Sequence, residues 1–452
     1  MGGKPGSGLS PVDIVRFTAA FGMWLKNRNN NSPVLVVVGR DARISGEMVS
    51  NIVTSTLQAM GINVTDAGLS TTPTIEMAVI YRKAQGGIVI TASHNPVNWN
   101  ALKLLNEEGE FLTASQGQEM MEWIDSSTLE FATSEKFGKV VYDPSLLVMH
   151  IERILELPLV DSEAIRQAGF KVAVDGINSS GGIAIPLLLN ALGVKEVFEA
   201  NCEPSGFFQH NPEPLPEHLQ VLADLVLSSG AHLGFAVDPD VDRLAIVQED
   251  GGFFGEEYTL VAVADYVLSK TPGNTVSNMS SSQALAEVTA SHNKKHFYSK
   301  VGEAHVVDMM KKHKAVIGGE GNGGVIYPEL HYGRDALVGI ALFLTKLAQS
   351  GLSCSKLKKK YPEYYISKNK IELAPDTNIG DVMNGLKEKY SKQPNDQTDG
   401  LKIWFDKEWV HLRPSNTEPI IRLYAESDNE VKSENIANNI KNDISEVLKS
   451  LQ

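Results

Sequence analysis

The segment Ile-Val-Ile-Thr-Ala-Ser-His-Asn-Pro at residues 88–96 places one hydroxyl at the end of an apolar run. The run at 88–90 is typical of a buried strand, and Pro96 ends it. Ser93 therefore follows a rigid element, where a serine can carry a covalent group such as phosphate. Hydrogen-bond donors follow on three side chains, those of His94, Asn95 and Lys103. From this segment alone an ordinary strand-to-turn junction is the alternative, because Ser, Asn and Pro also favour turns.

A cluster of acidic residues follows another predicted strand, in the segment Asp-Pro-Asp-Val-Asp-Arg at residues 238–243. Carboxylates at alternate positions of an extended loop point the same way, and they repel one another unless a cation joins them. Such hard oxygen ligands suit Mg²⁺, so Asp238, Asp240 and Asp242 predict a magnesium site. A solvated acidic turn is one alternative. An EF-hand is another, but Arg243 stands where that loop needs glycine, and the flanks are predicted strands.

A glycine-rich turn, Gly-Gly-Glu-Gly-Asn-Gly-Gly, occupies residues 318–324 after a further predicted strand. Its glycines let the backbone approach a ligand closely. Glu320 and Asn322 offer polar groups that suit the vicinal hydroxyls of a sugar. A purely structural turn is the alternative.

The segment Arg-Pro-Ser-Asn-Thr-Glu-Pro at 413–419 lies between two predicted strands and is followed by Arg422. The guanidinium of Arg413 can form paired hydrogen bonds with phosphate oxygens. Neighbouring side chains and backbone amides can complete a nest around the same anion, and these belong to Ser415, Asn416 and Thr417. A tight turn with incidental hydroxyls is the alternative. Other basic residues on predicted loops are each expected at the surface when taken singly: Arg40, Arg43, Lys103, Lys300, His331 and Arg334.

Length and composition limit the possible classes of protein. A chain of 452 residues predicts several domains, and 42% hydrophobic with 21% charged residues is typical of a soluble globular protein. No apolar stretch is long enough for a membrane span, and the N-terminus lacks a signal-peptide core. Cys202 and Cys354 form no metal-ligand spacing and no disulfide framework, which favours a cytoplasmic location. The net charge of −14 argues against nucleic-acid binding.

Strands and helices alternate along most of the chain, which is typical of α/β domains. Ser10 followed by Pro11 predicts a helix start, and the alternation restarts near residues 171 and 275. The final part, from about 365, predicts two helices and three strands instead. Domain boundaries are expected near residues 140, 250 and 362, and the lysine-rich stretch 356–360 is predicted to be a solvated linker.

Together the four motifs resemble, in order and spacing, those of the α-D-phosphohexomutase family, which includes phosphoglucomutases, phosphomannomutases and phosphoglucosamine mutases. The residues that carry the likeness are Thr91-Ala-Ser-His-Asn-Pro96, Asp238-Pro-Asp-Val-Asp-Arg243, Gly319-Glu-Gly-Asn322 and Arg413-Pro-Ser-Asn-Thr417. The resemblance spans nearly the whole chain. It implies an α/β fold of four domains around a central cleft, three of them related α/β/α domains with mixed sheets and the last a smaller α+β domain.

The resemblance also implies an activity, that of an isomerase-class intramolecular phosphotransferase. Such an enzyme interconverts the 1- and 6-phosphates of a hexose (glucose, mannose or glucosamine) through a phosphoserine and a 1,6-bisphosphate intermediate. The implied segments are a phosphoserine domain (1–140), a metal-binding domain (141–250), a sugar-recognition domain (251–362) and a phosphate-binding domain (363–452). A hexose 1,6-bisphosphate would act as activator, and the chain would be a monomer or homodimer whose partner is a small sugar phosphate, with no nucleic acid or membrane partner.

The family's functional residues carry over to matching positions. Ser93 would carry the phosphoryl group and would share one Mg²⁺ with Asp238, Asp240 and Asp242. Charge neutralisation or proton transfer beside it would fall to Arg43, His94, Lys103 and Arg243. Sugar hydroxyls would be held by Glu320 and Asn322. The non-reacting phosphate would be bound by Arg413, Ser415, Asn416, Thr417 and Arg422.

Three departures from the family pattern accompany the likeness. Pro239 replaces a glycine in the metal loop and lacks an N–H, and Ala101 replaces a glycine before Lys103. The family's opening strand with its Gly-rich, Arg-bearing loop is missing before Met1, so a longer native product is expected. Two other functions stay open. One is a Mg²⁺-dependent sugar phosphatase with an aspartate nucleophile in Asp238-Pro-Asp, and the other is a non-catalytic sugar-phosphate-binding homologue.

Overall fold

The computed structural model describes residues 8–30, 32–124, 129–374, 377–415 and 419–450. Four sheets follow one another along these residues, three mixed and the last antiparallel. This architecture confirms the predicted class of three related α/β/α domains and a smaller C-terminal domain. Among the described residues no helix is both long and apolar enough to cross a membrane.

The first domain is built on a five-stranded sheet in the order β4-β3-β1-β2-β5. Its elements are α1 (Pro11–Arg28), β1 (Leu35–Arg40), α2 (Gly46–Ala59), β2 (Asn63–Leu69), α3 (Thr72–Arg82), β3 (Gly86–Ile90), β4 (Leu102–Leu105), α4 (Ala114–Ile124), a short 3₁₀ turn (Ser134–Lys136) and β5 (Val140–Tyr142). The predicted start of α1 is confirmed: Ser10 Oγ accepts the amide of Asp13 at 3.2 Å, and Asp13 accepts the amide of Ser10 at 2.9 Å.

The second and third domains each carry a four-stranded sheet. The second contains α5 (Leu146–Leu155), α6 (Ser162–Ala168), β6 (Lys171–Asp175), α7 (Gly181–Leu192), β7 (Glu196–Ala200), a 3₁₀ turn (Pro216–His218), α8 (Gln220–Ser229), β8 (Leu233–Val237) and β9 (Leu244–Gln248). The third contains α9 (Glu256–Lys270), β10 (Asn274–Asn278), α10 (Ala284–Ser291), β11 (His296–Ser299), α11 (Glu303–His313), β12 (Ala315–Glu320), β13 (Gly324–Ile326), α12 (Ala336–Ser350) and α13 (Cys354–Lys358).

The first three sheets share one strand arrangement. In each, three parallel strands are followed by an antiparallel neighbour of the third, namely β4 beside β3, β9 beside β8 and β13 beside β12. Ser93 lies in the turn between β3 and β4, Asp238 directly follows β8, and Glu320 ends β12. Three of the sequence motifs therefore occupy the same topological position, beyond the carboxyl ends of parallel strands, where α/β sheets bind ligands.

The fourth domain is an antiparallel sheet in the order β14-β18-β17-β16-β15. Its elements are β14 (Tyr365–Glu372), α14 (Ile379–Lys389), β15 (Asn395–Asp396), β16 (Leu401–Trp404), β17 (Trp409–Pro414), β18 (Ile420–Ser427) and α15 (Glu430–Ser450). The prediction of a solvated linker at 356–360 is wrong in part. Helix α13 extends through Lys358, whose ammonium lies over the ring of Tyr258, because an aromatic face attracts a cation.

The second and third domains share one hydrophobic core. Helix α12 is buried along most of its length. Its Phe343 meets Phe235 of β8 and Phe254 edge-to-face, with ring centroids 6.3 and 5.2 Å apart. We therefore expect a substitution in this core to lower the stability of both domains.

Phe343→Ala is expected to destabilise this shared core by about 3–5 kcal/mol, because it removes a buried ring and leaves a cavity. Urea unfolding followed by circular dichroism measures the loss. The control Leu187→Ala shortens a side chain on α7 that is 43% exposed, and it should change stability by no more than about 0.5 kcal/mol. Equal effects of the two substitutions would contradict a core shared through Phe343.

Candidate active site

Ser93 is held in an unusual backbone conformation directly beyond β3. Its φ of 49° lies in the left-handed region that residues other than glycine seldom adopt. The Ser93 amide donates to Thr91 Oγ1 at 2.9 Å, and the Thr91 hydroxyl donates to Asp41 at 2.7 Å. The Ser93 hydroxyl donates to Asp238 Oδ2 at 2.8 Å, across the junction of the first two domains. The turn thus presents this hydroxyl to the acidic loop.

Arg43 fixes the backbone of the turn that contains Ser93. Its side chain is fully buried and pairs with Asp41 at 3.0 Å. The guanidinium donates to four backbone carbonyl oxygens of the turn, those of Ser93, Asn95, Pro96 and Trp99. The expectation of a surface position for Arg43 is therefore wrong. Its contacts with the turn are to backbone oxygens, so it positions Ser93 rather than touching the hydroxyl.

The acidic loop buries all three of its carboxylates. One ligand oxygen from each lies within 4.8 Å of the others. Asp238 Oδ1 accepts the backbone amides of Asp242 and Arg243 at 3.1 and 3.2 Å. The Pro239 carbonyl accepts two serine hydroxyls, those of Ser179 at 2.8 Å and Ser180 at 3.0 Å. The loop is therefore fixed from within and from the neighbouring turn after β6, even though Pro239 lacks an N–H.

Two cations from different domains face these carboxylates. Lys103 Nζ, from β4, lies 2.6 Å from Asp240 and 3.1 Å from Asp242. Arg334 lies 2.7 Å from Asp242. Burial alone would raise the pKa of Asp242, but Arg334 and Lys103 hold it below its usual range. Burial likewise opposes the charge on Lys103, yet the two aspartates raise its pKa, so this lysine stays protonated.

The acidic loop fits a magnesium ion. Asp240 Oδ1 and Asp242 Oδ1 are buried and have no hydrogen-bond partner among the described residues. Burial and repulsion from these two neighbours raise the pKa of Asp238 well above its usual range. A hard divalent cation would satisfy the free oxygens and remove the repulsion, and carboxylate oxygens are ligands that Mg²⁺ prefers. Ser93 Oγ lies 2.8 Å from one oxygen of this group, Asp238 Oδ2.

Arg334 also connects the acidic loop to the glycine-rich turn. Its Nη1 lies 2.7 Å from Glu320, and its Nε lies 2.9 Å from Glu303. The other Glu320 oxygen accepts Asn278 Nδ2 at 2.7 Å and the Gly302 amide at 3.0 Å. The expectation of surface positions is wrong for Arg334 and for His331, which are 8% and 4% exposed. Asn322 Oδ1 is buried with no hydrogen-bond partner among the described residues, and Asn322 lines the cleft.

The fourth domain also contributes residues to the cleft. Arg413, at the end of β17, lies 2.9 Å from Asp399, which also accepts the Val301 amide at 2.9 Å. Arg422 of β18 is exposed and lines the cleft. The Ser415 amide donates to the Ile420 carbonyl at 3.0 Å, which links the residue after β17 to the first residue of β18. The predicted phosphate ligands Asn416 and Thr417 lie outside the described residues.

All four domains line one cleft of about 950 Å³, the size of a small-molecule site. Its walls bring together most of the predicted residues: Ser93, His94, Lys103, Arg243, Glu320, Asn322, Arg413 and Arg422. The wall residues that the sequence interpretation missed include Glu213, Asn278, Ser280, Glu303 and Lys368. These residues belong to none of the four sequence motifs.

His94 lies between Ser93 and Glu213 on this wall. Its Nδ1 is 3.4 Å from Ser93 Oγ, and its Nε2 is 4.0 Å from Glu213, which also pairs with Arg243 at 3.2 Å. Burial and the nearby Arg243 guanidinium lower the pKa of His94 to about 4. The imidazole is therefore neutral at pH 7, and the positive charge beside Ser93 comes from Arg243 and Lys103.

Arg334→Met is expected to destabilise the protein by about 3–5 kcal/mol, because it removes the one cation that pairs with three buried carboxylates at once, those of Asp242, Glu303 and Glu320. Urea unfolding at pH 7 measures the difference. Lys311→Met provides the matched control, because this half-exposed lysine also pairs with two carboxylates, those of Glu108 and Glu110. Since solvent screens these surface pairs, the loss of stability should stay below about 1 kcal/mol. A similar small loss for both variants would contradict the bridging role of Arg334.

The sequence matches four family models in chain order. They describe the phosphoglucomutase/phosphomannomutase alpha/beta/alpha domains I, II and III, at residues 2–130, 149–252 and 255–365, and the C-terminal domain of the same family at 370–442. The phosphoglucomutase/phosphomannomutase of Thermococcus kodakarensis is 36% identical over 429 residues, covering 94% of this chain and 92% of that protein. The phosphoglucosamine/phosphogalactosamine mutase of Sulfurisphaera tokodaii is 31% identical over 97% of this chain and 96% of its own length.

Solved structures agree with these matches. A phosphoglucomutase/phosphomannomutase family protein from Burkholderia thailandensis superposes with a TM-score of 0.84 at 25% identity, covering 98% of this chain and 95% of that one. An Aspergillus fumigatus N-acetylphosphoglucosamine mutase, solved with GlcNAc-6P and magnesium, shares the fold with a TM-score of 0.57 at 13% identity, over 96% of this chain and 97% of its own. The resemblance inferred from the four motifs is confirmed: this chain belongs to the phosphoglucomutase/phosphomannomutase family of α-D-phosphohexomutases.

Proposed function

We propose that this protein is a phosphohexomutase that interconverts the 1- and 6-phosphates of a hexose, with Ser93 as the phosphoryl carrier. The observation that supports this proposal most directly is the position of the Ser93 hydroxyl at the cleft. Ser93 has a left-handed backbone conformation, and its hydroxyl donates a hydrogen bond to Asp238, a buried carboxylate of the acidic loop. Cationic groups lie at two places in the same cleft: Lys103 and Arg243 near Ser93, and Arg413 and Arg422 on the wall of the fourth domain. A sugar with phosphates at both ends matches this distribution of charge.

The reaction that fits this cleft consists of two phosphoryl transfers. The P–O bond to phospho-Ser93 breaks as a bond forms to the free hydroxyl oxygen of a hexose monophosphate, the sugar hydroxyl loses its proton, and the serine oxygen gains one. The resulting 1,6-bisphosphate turns over within the cleft. The phosphate at the other end then returns to Ser93, and the isomeric monophosphate leaves.

Electrostatic stabilisation by fixed groups suits this chemistry, because charge on the transferring phosphoryl group spreads over its oxygens. Asp238, Asp240 and Asp242 would hold Mg²⁺, which supplies Lewis-acid charge at the phosphoserine. Lys103, which stays protonated, and Arg243 add positive charge on the same side. Arg43 acts through the backbone, because its hydrogen bonds fix the Ser93 turn.

Substrate recognition is proposed to divide between the third and fourth domains. Glu320 and Asn322 would hold sugar hydroxyls, while Arg413, Ser415, Asn416, Thr417 and Arg422 would bind the phosphate that does not react. The same phosphate contacts must serve both orientations of the intermediate, so we expect stricter selection for phosphate than for the sugar face. Relatives named for glucose, mannose and glucosamine phosphates support a choice among these three hexoses. A hexose 1,6-bisphosphate would activate the enzyme by phosphorylating Ser93.

Phosphorus NMR of each monophosphate, with Mg²⁺ and a trace of hexose 1,6-bisphosphate, tests the reaction and identifies the sugar. Interconversion of 1- and 6-phosphates is expected, and the relative rates name the preferred hexose. Release of inorganic phosphate would favour a phosphatase instead. Binding of the monophosphates without any conversion would favour a non-catalytic homologue.

Ser93→Ala is expected to lower mutase turnover by roughly three orders of magnitude or more, because it removes the nucleophilic oxygen. The same NMR assay measures the loss. Ser228→Ala removes a hydroxyl from the exposed face of α8 and should leave turnover unchanged. Full activity of Ser93→Ala would refute the phosphoserine mechanism.

Arg422→Met is expected to lower kcat/KM by roughly tenfold to a hundredfold, because a hydrogen bond to a charged group is worth about 1.5–3 kcal/mol. Steady-state kinetics with the preferred hexose phosphate measures this, and the loss should appear for both isomers. Lys432→Met removes the same charge from an exposed position on α15 and serves as the control. Unchanged kinetics for Arg422→Met would exclude Arg422 from the phosphate site.

A further inference from the structure

A second group of convergent side chains lies buried where the first three domains meet. Glu76 comes from α3, His150 from α5, and His331 and Asp335 from the segment that leads into α12. Glu76, His150 and Asp335 are fully buried and His331 is 4% exposed. The proposed phosphoryl transfer uses none of these four residues.

Two imidazoles converge on one carboxylate oxygen in this group. His150 Nε2 lies 2.9 Å from Asp335 Oδ2, and His331 Nε2 lies 3.3 Å from the same oxygen. A tetrahedral zinc ion with bonds of about 2.0–2.1 Å keeps its ligand atoms about 3.3 Å apart. The two measured separations therefore come close to those of a metal-binding set before any ion is present, and the three potential ligand atoms lie within 4.8 Å of one another.

Each imidazole also has a polar neighbour at its outer nitrogen. His150 Nδ1 lies 2.9 Å from the hydroxyl of Thr74, and His331 Nδ1 lies 3.4 Å from Glu76 Oε2. Metal-binding histidines commonly use their second nitrogen in this way, which fixes the ring and its tautomer. Both rings are therefore oriented with Nε2 toward Asp335.

Hydrogen bonding in this group of side chains is incomplete. Both oxygens of Glu76 and the Nδ1 of His331 lack a hydrogen-bond partner among the described residues, although both side chains are buried. A buried polar group without a partner is costly. A cation at Nε2 of His331 would keep the proton on Nδ1, where it can be donated to the Glu76 carboxylate.

We propose that His150 Nε2, His331 Nε2 and Asp335 Oδ2 form a second metal site, separate from the acidic loop and specific for a zinc-like divalent cation. Imidazole nitrogen is a ligand for Zn²⁺, whereas Mg²⁺ prefers oxygen. Water would complete the tetrahedron around three protein ligands. The ion would tie α5 to α12, and through Glu76 the site would reach α3.

A metal ion at this position would also stabilise residues that line the cleft. Asp335 Oδ1 caps α12 by accepting the amides of Leu337 at 2.8 Å and Val338 at 3.2 Å. Arg334, the preceding residue, carries the ion pairs to Asp242 and Glu320. A metal on Asp335 would therefore brace the helix and the arginine that join the second and third domains.

Metal loading of the full-length chain tests the site. Protein stripped with a chelator is dialysed against trace Zn²⁺ with excess Mg²⁺ to occupy the acidic loop, and retained zinc is measured by atomic emission. Wild type and the control His292→Gln, whose half-buried imidazole pairs with Asp265, should each retain one zinc per chain. His150→Gln and His331→Gln should retain none. Co²⁺ should give the intense visible absorption of a tetrahedral ion only in the proteins that retain zinc.

Zinc should also raise the Tm of wild type but not that of His331→Gln, because a ligand that binds only the folded state stabilises it. If the variants fail to fold, X-ray absorption of zinc-loaded wild type identifies the zinc ligands instead, and we expect two imidazole nitrogens among them. Three results would each overturn the proposal: no zinc retained by wild type, equal zinc in wild type and His331→Gln, or an oxygen-only coordination shell that places zinc on the acidic loop. None of these readouts depends on mutase activity.

Discussion

The burial of three carboxylates in one short loop is the constraint on which the rest of the site depends. Asp238, Asp240 and Asp242 are removed from solvent within a few ångströms of one another, and in a low-dielectric interior their repulsion is large. The compensating charges come from elsewhere in the chain: Lys103 from the first domain and Arg334 from the third. The charge of the loop is therefore balanced by groups from three domains, although its backbone is fixed within the second.

The repeated sheet arrangement explains how the chain meets this constraint. In each of the first three sheets a motif follows the third parallel strand, although the three connections differ in length. The hydroxyl, the carboxylates and the glycine-rich turn therefore all lie at strand ends beside one cleft. The shared core around Phe343 holds the second and third domains together. Arg334 of the third domain also joins them through its ion pair with Asp242 of the second. The fourth domain then completes the cleft with cations on an antiparallel sheet.

Local patterns in the sequence predicted much of this fold and site, because strand ends, caps and glycine-rich turns depend on neighbouring residues. The start of α1 at Ser10 and the turns that hold Ser93 and Asp238 are examples. Burial of Arg334 could not be predicted in this way, since a carboxylate that pairs with it lies far along the chain: Asp242 is 92 residues from Arg334. Arg43 was placed beside Ser93 by resemblance, but its action through backbone carbonyls becomes visible only in three dimensions. Glu213 gave no signal at all.

We propose that Ser93, rather than a carboxylate of the acidic loop, carries the phosphoryl group. Brief exposure of the full-length enzyme to radiolabelled hexose 1,6-bisphosphate, followed by proteolysis and mass spectrometry, locates that group directly. We expect label on the peptide that contains Ser93, as an acid-stable phosphate ester. Label on the peptide that contains residues 238–242, as an acyl phosphate cleaved by hydroxylamine, would contradict it and make an aspartate the nucleophile.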